Sequence, residues 1–481
     1  AEVYRYSAMA RLWLFRIIMI IWRLCILPID WGMSIIIPIL KPHKDPSGPT
    51  GYRGISLLVT AYKIYARCVY ERLKGYVFNI AGPTQAGFTP GRSTADNICA
   101  VKQLIERATE FNRPIYLVAI DFTTAFDFVS RDAIWRILLN FGTPESLVKR
   151  AKCIYSACHA KVRTRFGTTA EFEVRGGVRQ GCCLSPALFL VAIGWLAHTL
   201  NNLFSGNLWH LEYADDMILA SHDLDTLQKA LDLLAEEGRS LGLVIHPGKT
   251  QAMACGRGDP TPSRSLQCSG VHVKWVKRMV YLGAVLTPQN SARDEVNRRT
   301  AGAGHSYRQL QRFVFNNPEI SAATKLRVFQ TMVMPVLLYC MHLVPLRKSD
   351  QRRLDSWFHT RVRWILGIRW EEKITNQEVR HRATAMLGQF LCPPSAQLRQ
   401  LRLRAFGHFA RHDGIAHSAM VYIPEGAKRP RGRPHMRWWR DVIPKDIEEL
   451  GFPKPSAEEA FMWAQSREDW RLICSTLANT D

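Results

Sequence analysis

The chain has 481 residues, 47% hydrophobic and 22% charged, a balance that excludes a disordered polyelectrolyte and a length that predicts two to four domains. Sixty-four Lys and Arg against 41 Asp and Glu leave a formal charge of +23, which points to a polyanionic partner, most simply nucleic acid. The 12 cysteines are scattered without a C-x-x-C pair, so neither a zinc ribbon nor a disulfide framework is supported, and a reducing compartment is the expectation. The chain begins at Ala1 rather than Met, which suggests a piece of a longer polyprotein or a trimmed chain.

Residues 12–40 are strongly apolar, but Arg16, Arg23, Pro28 and Asp30 interrupt them. The expectation is a buried helix feeding a strand over residues 33–40, not a membrane span or a signal peptide. Residues 41–51 form a turn-rich basic loop, and the strand resumes at Tyr52. Lys41, Lys44 and Arg53 near the tip of such a hairpin suit either a triphosphate or a solvated loop. Residues 61–76 carry an apolar stripe at helical spacing. Gln85 to Asp96 reads as a loop, after which Ser93 or Thr94 caps a helix to about Phe111. Arg92 in that loop suits a phosphate contact and a loop anchor equally.

An apolar strand, Val118-Ala-Ile120, ends in Asp121. Helices over 132–141 and 144–156 follow, then a hairpin of 160–165 with 169–174. The loop Gly176-Gly-Val-Arg179-Gln180-Gly181 opens a long apolar helix over 186–203. Its glycines allow close backbone approach to a ligand, and a helix start suits an anion. His210-Leu-Glu-Tyr213-Ala-Asp215-Asp216-Met-Ile-Leu reads as strand, tight turn, strand. Two adjacent carboxylates on a turn repel each other unless a cation sits there, and hard divalent ions take such oxygens. With Asp121 as a third carboxylate, the set predicts metal-dependent phosphoryl transfer. An amphipathic helix spans 223–241; residues 244–253 read as strand, turn, strand, and 279–286 as a short strand pair.

From Ser291 the texture changes to basic helices. Residues 291–370 hold 14 Lys/Arg against 5 Asp/Glu, interleaved with Tyr307, Phe313, Phe315, Trp357, Phe358, Trp364 and Trp370. That sign bias suits a nucleic-acid surface. The last segment carries His408, His412 and His417. It then reaches Arg431-Gly432-Arg433-Pro434, a single weak match to a minor-groove hook, for which generic backbone contact is the better expectation. His408 and His412, at i and i+4, have the spacing of a metal pair, but only Cys392 and Cys474 accompany them in this segment.

The ordered set Tyr52-Arg-Gly-Ile-Ser-Leu, Gln85-Ala-Gly-Phe-Thr-Pro-Gly-Arg-Ser-Thr, Asp121-Phe-Thr-Thr-Ala-Phe-Asp127, Gly177-Val-Arg-Gln-Gly, Tyr213-Ala-Asp-Asp, Gly242-Leu-Val-Ile-His-Pro-Gly-Lys-Thr and Tyr281-Leu-Gly resembles the reverse transcriptase of non-LTR (LINE-type) retrotransposons. The resemblance covers about residues 30–370, and the C-terminal Arg437-Trp-Trp-Arg-Asp441 and Asp469-Trp-Arg471 resemble such elements too. It implies an α+β right-hand polymerase: fingers, a palm with an antiparallel sheet and a helical thumb, followed by a small, mostly helical basic C-terminal region. The implied division is an N-terminal helical extension (1–30), fingers and palm (31–288), thumb (289–370) and nucleic-acid-binding region (371–481).

The resemblance also implies roles. Asp121, Asp215 and Asp216 would hold two Mg²⁺ ions, with Mn²⁺ as a substitute. Lys249 would protonate the leaving pyrophosphate. Lys41, Arg53, Arg92, Phe122, Phe126, Gln180 and Gly181 would line the nucleotide site, with Phe126 as an aromatic gate against a ribose 2′-hydroxyl. Tyr213, Tyr281, Leu282, Gly283, Arg361 and Arg363 would meet primer and template. The implied partners are the element's RNA, a DNA primer at the target site and deoxynucleoside triphosphates, with no membrane. The implied reaction is target-primed reverse transcription, with the endonuclease on a missing upstream part. The implied location is the nucleus at the site of integration, after a cytoplasmic ribonucleoprotein stage. Cys183 departs from the proline common in the family, and the cysteine–histidine knuckle of some relatives is not visible. The competing readings are a silent, host-retained nucleic-acid-binding remnant and a group II intron-type reverse transcriptase or maturase.

Overall fold

The computed structural model describes residues 2–42, 44–48, 51–204, 206–258, 260, 262, 264–431 and 435–476. Contacts divide the chain into two compact units. One comprises residues 1–93, 117–252 and 263–274, the other residues 94–116, 253–262 and 275–481. The helix Thr94–Glu110 therefore packs with the C-terminal half rather than with its sequence neighbours.

In the first unit the apolar N-terminal run is the helix Ala8–Leu24, capped by Ser7 and ended by Cys25 in the left-handed region, but it is not the buried helix expected: only Leu14 and Ile21 are buried, while Leu12, Trp13, Phe15 and Ile20 are exposed. It leads to β1 (Met33–Leu40), the strand expected at the end of the apolar run. β1 pairs antiparallel with β2 (Tyr52–Leu58), from Ser34↔Leu58 to Leu40↔Tyr52. The helix Thr60–Ala81 follows. It runs five residues past the expected end because Val77, Ile80 and Ala81 extend its buried stripe up to Gly82.

β3 (Ile115–Ile120) ends immediately before Asp121. β4 (His159–Thr164) pairs parallel with the other edge of β1 and antiparallel with β5 (Gly167–Thr168) and β6 (Phe172–Glu173). The helix Ser185–Phe204 is buried along most of its length. A Cβ on Gly194 would lie 2.5 Å from the carbonyl oxygen of Ile80, so only glycine lets this helix approach Thr60–Ala81 so closely. β7 (Trp209–Tyr213) and β8 (Asp216–Ser221) form the acidic hairpin, registered from Trp209↔Ala220 to Tyr213↔Asp216. β8 lies between β7 and β3, and β9 (Gln251–Cys255) lies on the far side of β3. Of the strand, turn and strand expected over 244–253, the turn and the second strand form, but the first strand does not. The N–H groups of Lys249 and Thr250 donate to the His246 carbonyl, closing a turn around Pro247-Gly248, and Ile245 keeps a single bridge to Phe122.

In the second unit Thr94–Glu110 is buried on nearly every side, Lys102, Gln103, Glu106 and Arg107 included. The Lys102 ammonium donates to the Val285 carbonyl at 3.2 Å and to Asn290 Oδ1 at 3.0 Å, which offsets its desolvation. The strands Met279–Tyr281 and Ala284–Leu286 form a small hairpin. The helices Ala292–Leu310, Lys348–Leu366 and Asn376–Leu387 share one core, which runs from Val296 to Leu398 and includes Phe329, Phe358 and Val379. Beyond it, buried Arg402 grips Asp446 with two hydrogen bonds, one of 3.0 Å. Residues 432–434 of the Arg-Gly-Arg-Pro sequence lie outside the described residues. Among the described residues, Ser185–Phe204 and Ala322–Leu343 are long and apolar enough to cross a membrane by composition; the first is mostly buried inside its own unit.

Candidate active site

The site forms in the first unit where β3 ends beside the β7–β8 turn. Ala214 takes the left-handed conformation (φ 58°), and its N–H donates to Gln85 Oε1 at 3.0 Å. The same oxygen accepts from the Gly87 N–H at 2.7 Å, while the Ala86 N–H donates to the Glu212 carbonyl at 2.9 Å. The segment 84–87 thus braces the turn that carries Asp215 and Asp216. Gly87 is required there, since a Cβ would lie 2.3 Å from the Ala214 nitrogen.

Asp121 is fixed through its backbone, whose carbonyl accepts from the His246 N–H at 2.7 Å. Its Oδ2 meets the Lys249 ammonium at 2.9 Å. The 244–250 turn therefore brings a cation from 128 residues away onto the first carboxylate. Desolvation, with smaller contributions from Asp215 and Asp121, pushes the Asp216 carboxyl up to about 6. Asp215 is raised by desolvation and by Asp121, against the opposing charge of Arg53. Both aspartates are exposed at the turn, so solvent screens part of this coupling.

The charges of Asp121, Asp215 and Asp216 act on one another, and three neighbouring carboxylates supply hard oxygen donors whose repulsion a divalent cation would relieve, so the chemistry of the donor set suits such an ion. Among the described residues no group of three or more His, Cys, Asp or Glu side chains is already placed to hold a metal ion, the three aspartates included. That holds also for His408 and His412, whose rings are 4.5 Å apart with Asp96 Oδ1 3.4 Å from His408.

Around the carboxylates, Gln180 Nε2 donates to Asp127 Oδ1 at 3.3 Å. Burial raises the Asp127 carboxyl, opposed by that bond and by the charge of Lys41. Gly181 lies against β2, where a Cβ would be 2.5 Å from the Ser56 carbonyl oxygen. Phe126 stacks on Phe189, with centroids 4.3 Å apart, and meets Phe88 edge-on at 6.3 Å. Its ring is half-buried and held on two sides.

Other expected residues stand differently. Arg92 Nη1 donates to the carbonyls of Pro83 and Gln85, so it is the anchor of its loop. The Phe122 side chain is 4% exposed and belongs to the core, because it turns away from the strand end that Asp121 occupies; its ring offers no nucleotide surface. In the second unit Tyr281 is buried, with its hydroxyl accepting from Asn97 Nδ2 at 3.3 Å. The turn residues Leu282 and Gly283 of that hairpin are partly exposed, and the Tyr339 hydroxyl donates to the Leu282 carbonyl at 2.8 Å. Arg361 lies over Trp357 and Trp364 at 4.4 and 4.9 Å, and Arg363 is committed to Asn376 Oδ1 and the Ile374 carbonyl.

Sequence reading passed over Gln85 and Gly87 as loop, and gave no role to Asp127 or Phe189. A Gln and a Gly two apart were the only trace of the brace.

A family model described as reverse transcriptase (RNA-dependent DNA polymerase) matches residues 39–286. The chain belongs to this family. It is 30% identical over 203 residues to the Xenopus laevis "Transposon TX1 uncharacterized 149 kDa protein", covering 40% of this chain and 16% of that protein. It is 26% identical over 348 residues to the Drosophila melanogaster "Probable RNA-directed DNA polymerase from transposon BS", covering 68% and 37%. The match thus spans well under half the length of either relative. Among solved structures it is similar to apo telomerase from Candida tropicalis, with a TM-score of 0.44 and 12% identity over 93% of this chain and 69% of that one. The family is the one the ordered motifs led to, and its right-hand polymerase fold makes the β7–β8 hairpin with β3 the palm of this reverse transcriptase. Divalent-metal dependence is general to reverse transcriptases, in keeping with the three palm carboxylates.

Proposed function

We propose that this reverse transcriptase copies the RNA of a non-LTR retrotransposon into DNA, primed by a nicked 3′ end at the target. The observation that carries the reading is the meeting of Asp121, Asp215 and Asp216 at one edge of the palm, with Lys249 on Asp121. The transposon relatives support the element class.

When bound, two Mg²⁺ ions, held by the three aspartates and replaceable by Mn²⁺, would activate the primer 3′-hydroxyl and neutralise the triphosphate. The chain's own groups do the rest. Arg53, whose charge reaches Asp215, and Lys41, whose charge reaches Asp127, bind the triphosphate on one side. Gln180 and Gly181 border the sugar and base. The Phe126 ring, immobilised by Phe189, excludes a 2′-hydroxyl. Lys249 Nζ holds the proton that the leaving pyrophosphate takes. The turn at Leu282 and Gly283 supports the primer end, Arg361 on its tryptophans meets the template, and Tyr213, at the end of β7, meets primer or template as well. In this reading residues 31–288 are fingers and palm, 289–370 the thumb and 371–481 a basic nucleic-acid-binding region. The nick comes from an endonuclease outside these residues. The reaction takes place in the nucleus after a cytoplasmic ribonucleoprotein stage, and a tagged chain excluded from nuclei would refute that placement.

Primer extension on poly(rA)/oligo(dT) with Mg²⁺ tests the activity. Wild type should incorporate dTTP and Asp215→Asn should not. Equal, background-level incorporation by both would make the chain a silent nucleic-acid-binding remnant.

A further inference from the structure

The second unit contains a cavity of about 720 Å³ that plays no part in the palm chemistry. It is lined from four directions: by Glu106 and Glu110 of the buried helix, by Arg257, by the start of Ala292–Leu310 with Arg293, and by the start of Lys348–Leu366 with Arg347 and Arg353. Arg429 and Arg437 close it. These two are already neutralised in part: both pair with Glu110, at 2.6 and 3.1 Å, and Arg437 also pairs with Asp441 at 2.6 Å. Arg257, Arg293 and Arg353 are exposed and make no ion pair among the described residues. Six guanidiniums therefore face three carboxylates, Asp350 being the third.

Two 19-residue helices begin at this cavity, and Ser291 makes no side-chain cap at the first of them. Unpaired arginine forks and helix N-termini share one preferred ligand, the phosphate group. The volume lies in the range of a small-ligand site of about 300–1,000 Å³, room for a nucleotide or two of a single strand but not for a duplex.

We propose that this cavity is a phosphate-binding site occupied by the backbone of a single-stranded nucleic acid. The proposal does not rest on polymerase activity. Glu110, with Asp441, keeps Arg429 and Arg437 in place, while Arg257, Arg293 and Arg353 supply the unspent charge.

The test is fluorescence anisotropy of the full chain with a labelled single-stranded RNA oligonucleotide, without divalent metal or nucleotides, so that an inactive polymerase does not affect the outcome. Affinity is followed from ~50 to ~200 mM salt. The double variant Arg293→Gln/Arg353→Gln should bind about tenfold more weakly, and its salt slope should fall by about 1.4, the loss of two single-strand phosphate contacts. Arg257→Gln, on a separate segment, should lose about half that slope. Inorganic tripolyphosphate distinguishes a free anion from a strand. If the variants lose its binding while keeping wild-type RNA affinity and slope, the strand assignment is overturned. If neither ligand responds to either variant, the site itself is overturned. Thermal melting of each variant checks that folding is intact.

Discussion

Gln85 Oε1 holds the Ala214 N–H at 3.0 Å and so sets the turn from which Asp215 projects. The bond spans 129 residues and is buried, and the same oxygen takes the Gly87 N–H. Gln85→Leu keeps bulk but leaves two buried backbone donors without a partner, at a cost of about 1–3 kcal/mol each. Gly87→Ala instead drives a methyl group into the Ala214 nitrogen. Both variants should lower the melting temperature and cut primer extension by about tenfold or more, because small misplacements of reacting groups are costly. Lowered stability with wild-type kcat would show that the brace serves folding alone.

Lys249 contacts Asp121 across a half-exposed surface, so the ion pair itself contributes little to stability, about 0–1 kcal/mol. Its effect should be on the chemical step. Lys249→Ala should lose about 10²-fold or more in the single-nucleotide incorporation rate, the usual scale for a general acid. Nucleotide KM and melting temperature should change little. Lys249→Arg should keep the charge on Asp121 and recover only part of the rate. A loss that appears in KM alone would make Lys249 a phosphate-binding residue instead.

Phe126 is held by Phe189 at a stacking distance of 4.3 Å, which gives a gate its rigidity. Phe126→Val should open space beside the sugar and reduce discrimination against ribonucleotides by about 10–200-fold, the range open to a purely steric pocket. It should also destabilise the palm through the lost stack, by about 1–3 kcal/mol. Competing dTTP and UTP in the same extension assay reads the first effect and denaturant unfolding the second. Unaltered discrimination would remove the ring from the nucleotide site.

Local signals made Asp121, Asp215 and Asp216 readable. Each sits where an apolar strand run meets a turn, and carboxylates there have no structural use without a cation. The helices were readable wherever an apolar stripe persisted, as over residues 61–76 and 223–241. Three kinds of residue were not readable. Gln85 acts on a turn 129 positions away, and no local pattern encodes that register. Arg92, in a loop, and Arg363, on the basic helix Lys348–Leu366, spend their guanidiniums on nearby carbonyls and an amide, which composition cannot separate from phosphate contacts. The helix Thr94–Glu110 buries Lys102, Glu106 and Arg107, which an amphipathic reading would turn toward solvent. Apart from the Arg107–Glu110 pair within the helix, these groups find their partners in segments far along the chain: Lys102 at Val285 and Asn290, Arg107 at Met420 and Glu106 at Trp438.

Glu106 makes that buried polar helix testable. Burial raises its carboxyl to about 7 against 4.5 for an ordinary Glu, with Arg107 opposing. Oε2 accepts from the Trp438 N–H at 2.7 Å, and Oε1 has no partner. A carboxyl raised in the folded state contributes stability that is fully present below its unfolded value and is lost as pH rises through its folded value. The fold should therefore carry the cost of a buried charge above about pH 7 and be free of it at about pH 4.5. Glu106→Gln keeps an acceptor for Trp438 but cannot ionise. It should be more stable than wild type by about 1–2 kcal/mol near pH 8.5, with the gain vanishing near pH 5. His342, which burial lowers to about 4, loses stability in acid, but equally in both proteins, so it cancels in the difference. Thermal melts of the pair across this range check the sign; a gap that does not vary with pH would mean that burial does not raise the Glu106 carboxyl.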